Sequence, residues 1–321
     1  MGNKISWALL FLFFLSGCIH VEVFSGKGEL QETTISGEGR DKVLLIDISG
    51  ALTTKKDSGL LSEPSLPARL KEELTKAEKD DHIKAIILRI NTPGGTVTSS
   101  DILYHELQEF KEKQKVPIIA SIMDLGTSGG YYVAMASDYI FAHPSTITGS
   151  IGVIMLTLNG QGFLEKIGIE PTTIISGPKK SMGSPFRAMK EEERAIFQDV
   201  IDRLYARFLA VVKQGRPNLH TSKIRQLADG RIYTADIAKT EGLIDEIGYL
   251  DDAIDWAKKT AKLTEAQVVT YTRSSPETHQ NIYSHFEPPT VGPLGFPQIN
   301  ANSVVGALQG GTPQMMYMWI P

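Results

Sequence analysis

Short apolar, β-branched runs alternate along this chain with segments whose apolar positions recur every three or four residues. "KVLLIDISGAL" (42–52) is a buried-strand pattern closed by a glycine turn, and "LPARLKEELTKAEKD" (66–80) sets Leu66, Leu70 and Leu74 on one face of an amphipathic helix. "IKAIILRI" (83–90) predicts the next strand, which runs straight into "NTPGGTVTSSD". A helix near 99–113, a strand at "VPIIASIMD" (116–124) and a helix carrying Tyr131, Ala134, Met135 and Ser137 follow. This alternation predicts an α/β layer fold with a mainly parallel sheet flanked by helices.

Beyond it come "YIFAHP" (139–144), "TGSIGVIML" (148–156), and "GFLEKIGIEPTTIIS" (162–176), read as a short helix leading into a strand. The loop "GPKKSMGSPFR" (177–187) precedes a long helix that starts near Ala188 and covers 191–215. Further helices are predicted at 221–229, where Thr221 is a plausible cap, and at 249–261, with a strand at "AQVVTYTR" (266–273). From Ser274 the chain turns rich in proline, glycine and polar residues without sustained periodicity, which reads as a flexible tail. Its end, "MMYMWIP", is too apolar to stay freely solvated, so docking on the parent domain or on a neighbour is expected.

Charge and cysteine usage narrow the picture. A net charge of −4 gives no basic surface for nucleic acid. The histidines are scattered without HExxH, and neither a P-loop nor a helix-opening GxGxxG is present, so no metal or cofactor is expected. The single cysteine is Cys18. Lys4 and the α-amino group precede an apolar run from Ile5 to Leu15, too short to span a bilayer comfortably but of signal-peptide proportions. Leu15-Ser16-Gly17-Cys18 resembles the bacterial lipobox, in which the cysteine becomes the lipidated first residue of the mature protein. The start "MGNKIS" also fits the myristoylation pattern, but that reading leaves the apolar run and Cys18 unexplained. The expected organisation is a lipoprotein signal peptide (1–17), a lipidated tether (18–41), a folded domain (42–273) without disulfides, and the tail (274–321).

Three segments offer chemistry. "NTPGGTV" (91–97) lies at the carboxyl end of a strand, the edge where parallel α/β sheets bind ligands, and Gly94 and Gly95 can expose backbone N–H groups there. In "GTSGGYYVAMASD" (126–138), Ser128 stands at a strand-to-helix turn. It is either an N-cap or a nucleophile on a tight elbow, with the N–H of Gly129 beside it. The loop "SGPKKSMGSP" holds Lys180, a solvated surface lysine unless burial lowers its pKa far enough to make it a base.

As an ordered set, "NTPGG", "TSGGYYVA", "TGSIGV", "SGPKKSMGSPFR" and "DGRIYTADIAKTEGLIDEIG" resemble the signal peptide peptidase A family of serine proteases (peptidase family S49) in its short, single-repeat form, over roughly residues 42 to 272. The resemblance implies a Clp protease/crotonase-like fold and a Ser-Lys dyad. Ser128 matches the nucleophile and Lys180 the base, while Lys179, adjacent but out of phase, is given no catalytic role. Ser150 in "TGSIG" matches a serine that could orient the lysine amine, and Gly94 or Gly95 with Gly129 would form the oxyanion hole. It further implies cleavage of membrane-released signal peptides and other apolar or unfolded peptides. A homo-oligomeric ring would let neighbouring subunits share Ser128 and Lys180. The family is often held by a transmembrane helix, and here the lipobox would serve instead, placing the catalytic domain outside the cytoplasm in the bacterial envelope. The apolar end 313–321 could then lie near the substrate groove.

Two rival readings stand beside this one. A Clp-type Ser-His-Asp peptidase would use His143 as base with Asp138 or Asp124 as orienter. A non-catalytic crotonase-like scaffold lipoprotein would use Ser128 only as a cap, which leaves Lys180 without a purpose.

Overall fold

The computed structural model describes residues 29–54, 64–273, 281–283 and 315–320. The expected signal peptide, Cys18 and most of the expected tail lie outside the described residues.

Strand β1 (Gln31–Ser36) leads into β2 (Lys42–Ser49), followed by α1 (Leu66–Ala77), β3 (Ile83–Thr92), β4 (Gly94–Thr96) and α2 (Val97–Gln114). Next come β5 (Ile118–Thr127), α3 (Gly129–Ala134), β6 (Tyr139–Ala142), β7 (Ile147–Gly149), β8 (Ile154–Met155) and α4 (Gln161–Lys166). The remainder is α5 (Glu191–Gly215), α6 (Thr221–Leu227), β9 (Ile232–Thr234), α7 (Ala235–Thr240), β10 (Glu246–Ile247), α8 (Leu250–Thr260), β11 (Gln267–Thr272) and β12 (Met315–Met318).

The main sheet runs β1-β11-β2-β3-β5-β6-β10, and β7 extends the end of β5 and pairs with β9. Its pairs β11–β2, β2–β3, β3–β5, β5–β6, β6–β10 and β5–β7 are parallel; β1–β11 and β7–β9 are antiparallel. The central strands are apolar almost throughout because both faces are covered. On β2, Leu44, Ile46 and Ile48 point to the layer containing Leu70 and Leu74 of α1, Leu103 and Leu107 of α2, and Phe208 and Val212 of α5. Val43 and Leu45 point the other way, onto Leu250, Ala253, Ile254 and Ala257 of α8. The two-residue period of the strand thus sorts one continuous run into two cores.

Two segments differ from the sequence reading. Gln31–Ser36, within the expected tether, is a paired edge strand, largely exposed, whose mostly polar residues hide it from an apolar-pattern search. Residues 170–176, expected to end in a strand, form none. Ile174 there is 97% exposed and Ile175 41%, so this β-prone stretch pairs with no sheet edge among the described residues.

One acidic residue sits where α1 meets the core. Glu73 is buried beside Leu70 and Leu74, 3.7 Å from the Arg69 guanidinium, and burial pushes its carboxyl up from 4.5 to about 8. A folded-state pKa above the unfolded value means that this contribution is complete below about pH 4.5 and is lost as pH rises towards 8. Thermal melts of Glu73→Gln at stepped pH should therefore lose a wild-type decline of up to a few kcal/mol across that window. Parallel wild-type and variant curves would contradict the assignment.

Candidate active site

Parallel pairing of β3 with β5 brings their carboxyl ends together, with Thr92 opposite Gly126. The chain leaving β3 enters the Pro-Gly-Gly turn, and the chain leaving β5 reaches Ser128 two residues beyond Gly126.

Ser128 is 1% exposed and has φ 52° and ψ −112°. For a residue with a Cβ this is a strained, left-handed conformation, of a kind that costs about 1–3 kcal/mol and persists only where the surroundings fix it. They do so here from both sides. The Ser128 N–H donates to the Gly149 carbonyl of β7 at 2.7 Å, and its own carbonyl accepts from the Tyr132 N–H at 2.9 Å. The side chain makes no capping hydrogen bond to α3. An N-cap serine would spend its Oγ on the first turn of the helix; this one does not.

Ser150 follows Gly149 on the neighbouring strand. It is buried, also has a positive φ of 51°, and its N–H donates to the Arg231 carbonyl at 2.8 Å. Two serines in strained conformations therefore flank the same β5–β7 junction.

The Pro-Gly-Gly turn is fitted as closely. Gly94 has φ 98°, and a Cβ there would lie 2.1 Å from the Tyr317 carbonyl oxygen and 2.7 Å from the Gly129 nitrogen. A Cβ on Gly129 would stand 2.4 Å from Ser100 Oγ and 3.2 Å from Gly94 Cα. Both positions need glycine because two backbone segments and an incoming strand meet within contact distance. The Gly94 N–H is occupied, donating to Thr92 Oγ1 at 3.0 Å.

That incoming strand is β12. It lies between β4 and β8 in a separate three-stranded sheet, antiparallel to both, with Tyr317 opposite Gly95 and Met316 opposite Ile154. The Trp319 N–H donates to the Pro93 carbonyl at 2.9 Å. Hydrogen-bonded pairs alternate along an antiparallel ladder, so the next such pair joins the Gly95 N–H to the Tyr317 carbonyl. The apolar terminus docks on the parent domain, as its composition suggested, and its backbone runs across the turn beside Ser128.

Lys180 is elsewhere. It lies exposed in a run of turns, its N–H donating to the Gly177 carbonyl at 3.0 Å, and no hydrogen bond joins it to Ser128 among the described residues. The loop is held to the head of α5 by Arg187, which donates to both carboxylate oxygens of Glu193 (2.9 and 2.6 Å) and to the Ser181 carbonyl at 2.8 Å. The Arg187 hydrogen bond holds the Glu193 carboxyl below its ordinary range. Lys179 pairs with Glu192 at 2.5 Å.

His143 is not brought to the serine. Its N–H bonds the Ile122 carbonyl at 2.9 Å, six residues or about 20 Å of strand before Ser128. Its ring faces Ser145 Oγ at 2.8 Å and the edge of Tyr249. Asp138 accepts from the Ile118 N–H and pairs with Lys111, at the opposite end of β5. These residues do not assemble a triad with Ser128.

Comparison with known proteins adds an independent line. A family model described as Peptidase family S49 matches residues 110–264. An Enterococcus faecium protein assigned as signal peptide peptidase SppA is 38% identical over 252 residues, covering 78% of this chain and 73% of that protein. The chloroplastic serine protease SPPA of Arabidopsis thaliana is 34% identical over 236 residues, covering 72% of this chain but 34% of its relative. Among solved structures, a lysine-to-alanine mutant of the 1510-N membrane-bound stomatin-specific protease, in complex with a substrate peptide, aligns with a TM-score of 0.47 at 18% identity, covering 78% of this chain and 99% of that one.

Proposed function

The chain belongs to peptidase family S49 and is a serine protease, and we propose that it is a membrane-anchored endopeptidase that cleaves apolar or unfolded peptides, spent signal peptides among them, through a Ser128–Lys180 dyad. The observation that carries this is Ser128 itself: a strained, buried serine with an uncommitted hydroxyl, beside a glycine turn across which an extended strand already lies.

The chemistry is acyl transfer. Lys180 Nζ, neutral, takes the proton of Ser128 Oγ as that oxygen attacks the peptide carbonyl. The oxyanion is held by the backbone N–H groups of Gly95 and Gly129. Gly94, whose N–H is engaged by Thr92, shapes the turn instead. Lys180 then protonates the leaving amine, the C–N bond breaks, and water hydrolyses the Ser128 ester. Ser150, at the same junction, would orient the lysine amine.

A lysine base needs a desolvated setting, and the exposed Lys180 loop would acquire one from a second copy of the chain. Apolar exposure in residues 154–175 supports such assembly: Leu156 is 57% exposed, Phe163 67% and Ile169 52%, more than a free surface normally leaves contiguous in sequence. A homo-oligomeric ring with Ser128 and Lys180 from neighbouring subunits follows from that reading.

Among the described residues no helix is long and apolar enough to cross a membrane. The proposed anchor is diacylglycerol on Cys18, with the domain outside the cytoplasm of a bacterial cell. Cys18→Ala should abolish incorporation of labelled palmitate and release the protein from the membrane fraction. Retention of both would overturn the lipid anchor.

The activity is tested on the full chain with fluorogenic apolar peptides and a serine-directed fluorophosphonate. Turnover, together with phosphonate labelling mapped to Ser128 by mass spectrometry, is expected. A folded, assembled chain that neither turns over a broad peptide panel nor labels would favour the scaffold reading.

A further inference from the structure

The loop that carries Lys180 has no helix or strand of its own to hold it. Between Gly177 and Lys190 the chain makes turns closed by single hydrogen bonds, such as Met182 N–H to the Lys179 carbonyl at 3.2 Å. A buried charge holds it instead. Glu193, on the first turn of α5, is 0% exposed, and its carboxylate accepts from both terminal nitrogens of Arg187 and from the Lys190 backbone N–H at 3.2 Å. Arg187 also reaches the residue next to Lys180, donating to Ser181 Oγ at 3.1 Å as well as to the Ser181 carbonyl. On the far side of the loop, the Pro185 carbonyl accepts from the Gly160 N–H at 2.7 Å, and the Ala188 N–H donates to Gln161 Oε1 at 2.8 Å.

Stability is a poor reason for such an arrangement. The attraction within a buried ion pair is largely offset by its desolvation, and apolar side chains of similar volume often serve a fold better. What a bidentate arginine–carboxylate pair supplies is fixed geometry. Here it ties Ser181, one residue from Lys180, to the start of a 25-residue helix. That helix is seated on the domain further along, where Phe208 and Val212 enter the core and Arg207 grips both oxygens of Asp101 on α2 at 2.6 and 2.8 Å. A second pair, Lys179–Glu192, holds the adjacent lysine against the same helix turn. Of the two neighbouring lysines, Lys180 alone makes no ion pair among the described residues.

We propose that Arg187 and Glu193 are positioning residues for the general base: the pair fixes the peptide at Ser181, so that the Lys180 amine is presented at one place and angle to the Ser128 of a neighbouring copy. The inference rests on the shared Ser128–Lys180 reading above. Both residues act through Lys180 and not on the substrate. A misplacement of about 1 Å at a reacting group costs about 100-fold in rate. The pair therefore governs kcat and leaves KM, set by peptide binding beside Ser128, unchanged.

The test measures kcat and KM of the full chain on a fluorogenic apolar peptide, with circular dichroism, melting and size-exclusion establishing that each variant is folded and assembled. Glu193→Gln should lower kcat by about 10- to 100-fold at unchanged KM. Arg187→Lys should do the same although it keeps the charge, because an ammonium cannot span Ser181 and both carboxylate oxygens. Glu193→Asp, which keeps the carboxylate, should lose less. Mixed oligomers then show which half of the site is damaged. Glu193→Gln co-expressed with Ser128→Ala should recover turnover, since the second chain brings an intact lysine loop to the first chain's serine; co-expressed with Lys180→Ala it should not. Wild-type kcat in Glu193→Gln and Arg187→Lys, beside an inactive Lys180→Ala, overturns the positioning role and leaves the dyad standing. So does a kcat loss that only tracks unfolding or disassembly, or recovery with Lys180→Ala. Full turnover by Lys180→Ala would instead defeat the dyad reading itself.

Discussion

Ser128→Ala is expected to lower peptide turnover by about four orders of magnitude or more, the loss seen when the nucleophile of a serine hydrolase is removed, and to leave the melting temperature unchanged within a few degrees. The second half of the expectation is what discriminates. A capping serine contributes about 0.5–2 kcal/mol, which alanine forfeits. Here the Ser128 hydroxyl makes no capping bond, so truncating it removes no such contribution. The left-handed backbone at φ 52° is equally unfavourable for serine and alanine. Ser128→Gly, relieving that strain, should melt at or above the wild type while remaining as inactive as Ser128→Ala. Activity and stability are thereby decoupled at one position, as expected where backbone strain serves the site and not the fold. A Ser128→Ala chain that melts well below the wild type and keeps a few per cent of its turnover would restore the capping role.

The elements that apolar pattern could identify were legible in the sequence. Residues 42–49, 83–92 and 118–127 are strands because they are covered on both faces, and continuous apolar runs announce this. The turn at Ser128 was legible too, because glycine on either side of a short polar pair at the end of a strand has few other uses. What escaped notice depended on partners distant in the chain. Gln31–Ser36 becomes a strand only because β11, more than 230 residues on, offers an edge. Thr92, two residues before Gly94, accepts the Gly94 N–H and leaves that of Gly95 to face the strand lying across the turn, and no spacing rule encodes a side-chain acceptor of that kind. Tyr317 reads as an apolar terminal residue, and the Tyr132 and Phe208 rings it packs against come together only once α3 and α5 are packed. The segment ending at Ser176 shows the opposite failure. Its β-branched pattern predicts a strand, and among the described residues it pairs with no sheet edge.

Lys180→Ala should abolish turnover as completely as Ser128→Ala, yet the two inactive chains, co-expressed, should regain activity. The argument is one of position. Lys180 sits exposed on a loop fixed by the Arg187–Glu193 pair to the head of α5, without a bond to Ser128. If the base for each nucleophile comes from a neighbouring copy, a mixed ring contains sites whose serine belongs to a Lys180→Ala chain and whose lysine belongs to a Ser128→Ala chain. Random mixing at equal amounts makes roughly a quarter of the sites intact in a closed cyclic assembly. Turnover near a quarter of the wild type is therefore expected, measured on oligomers purified through tags on both chains. The doubly substituted chain mixed with wild type controls for subunit exchange alone. If both residues of a site came from one chain, no mixture of the two variants could contain an intact pair, and activity would stay at background whatever the ratio. Background activity in mixed oligomers, with each variant folded, would thus place the base within the same chain and require the Lys180 loop to swing towards Ser128. Recovery would instead make assembly a condition of catalysis, and would account for the exposure, among the described residues, of Leu156, Phe163, Ile167, Ile169 and Ile174.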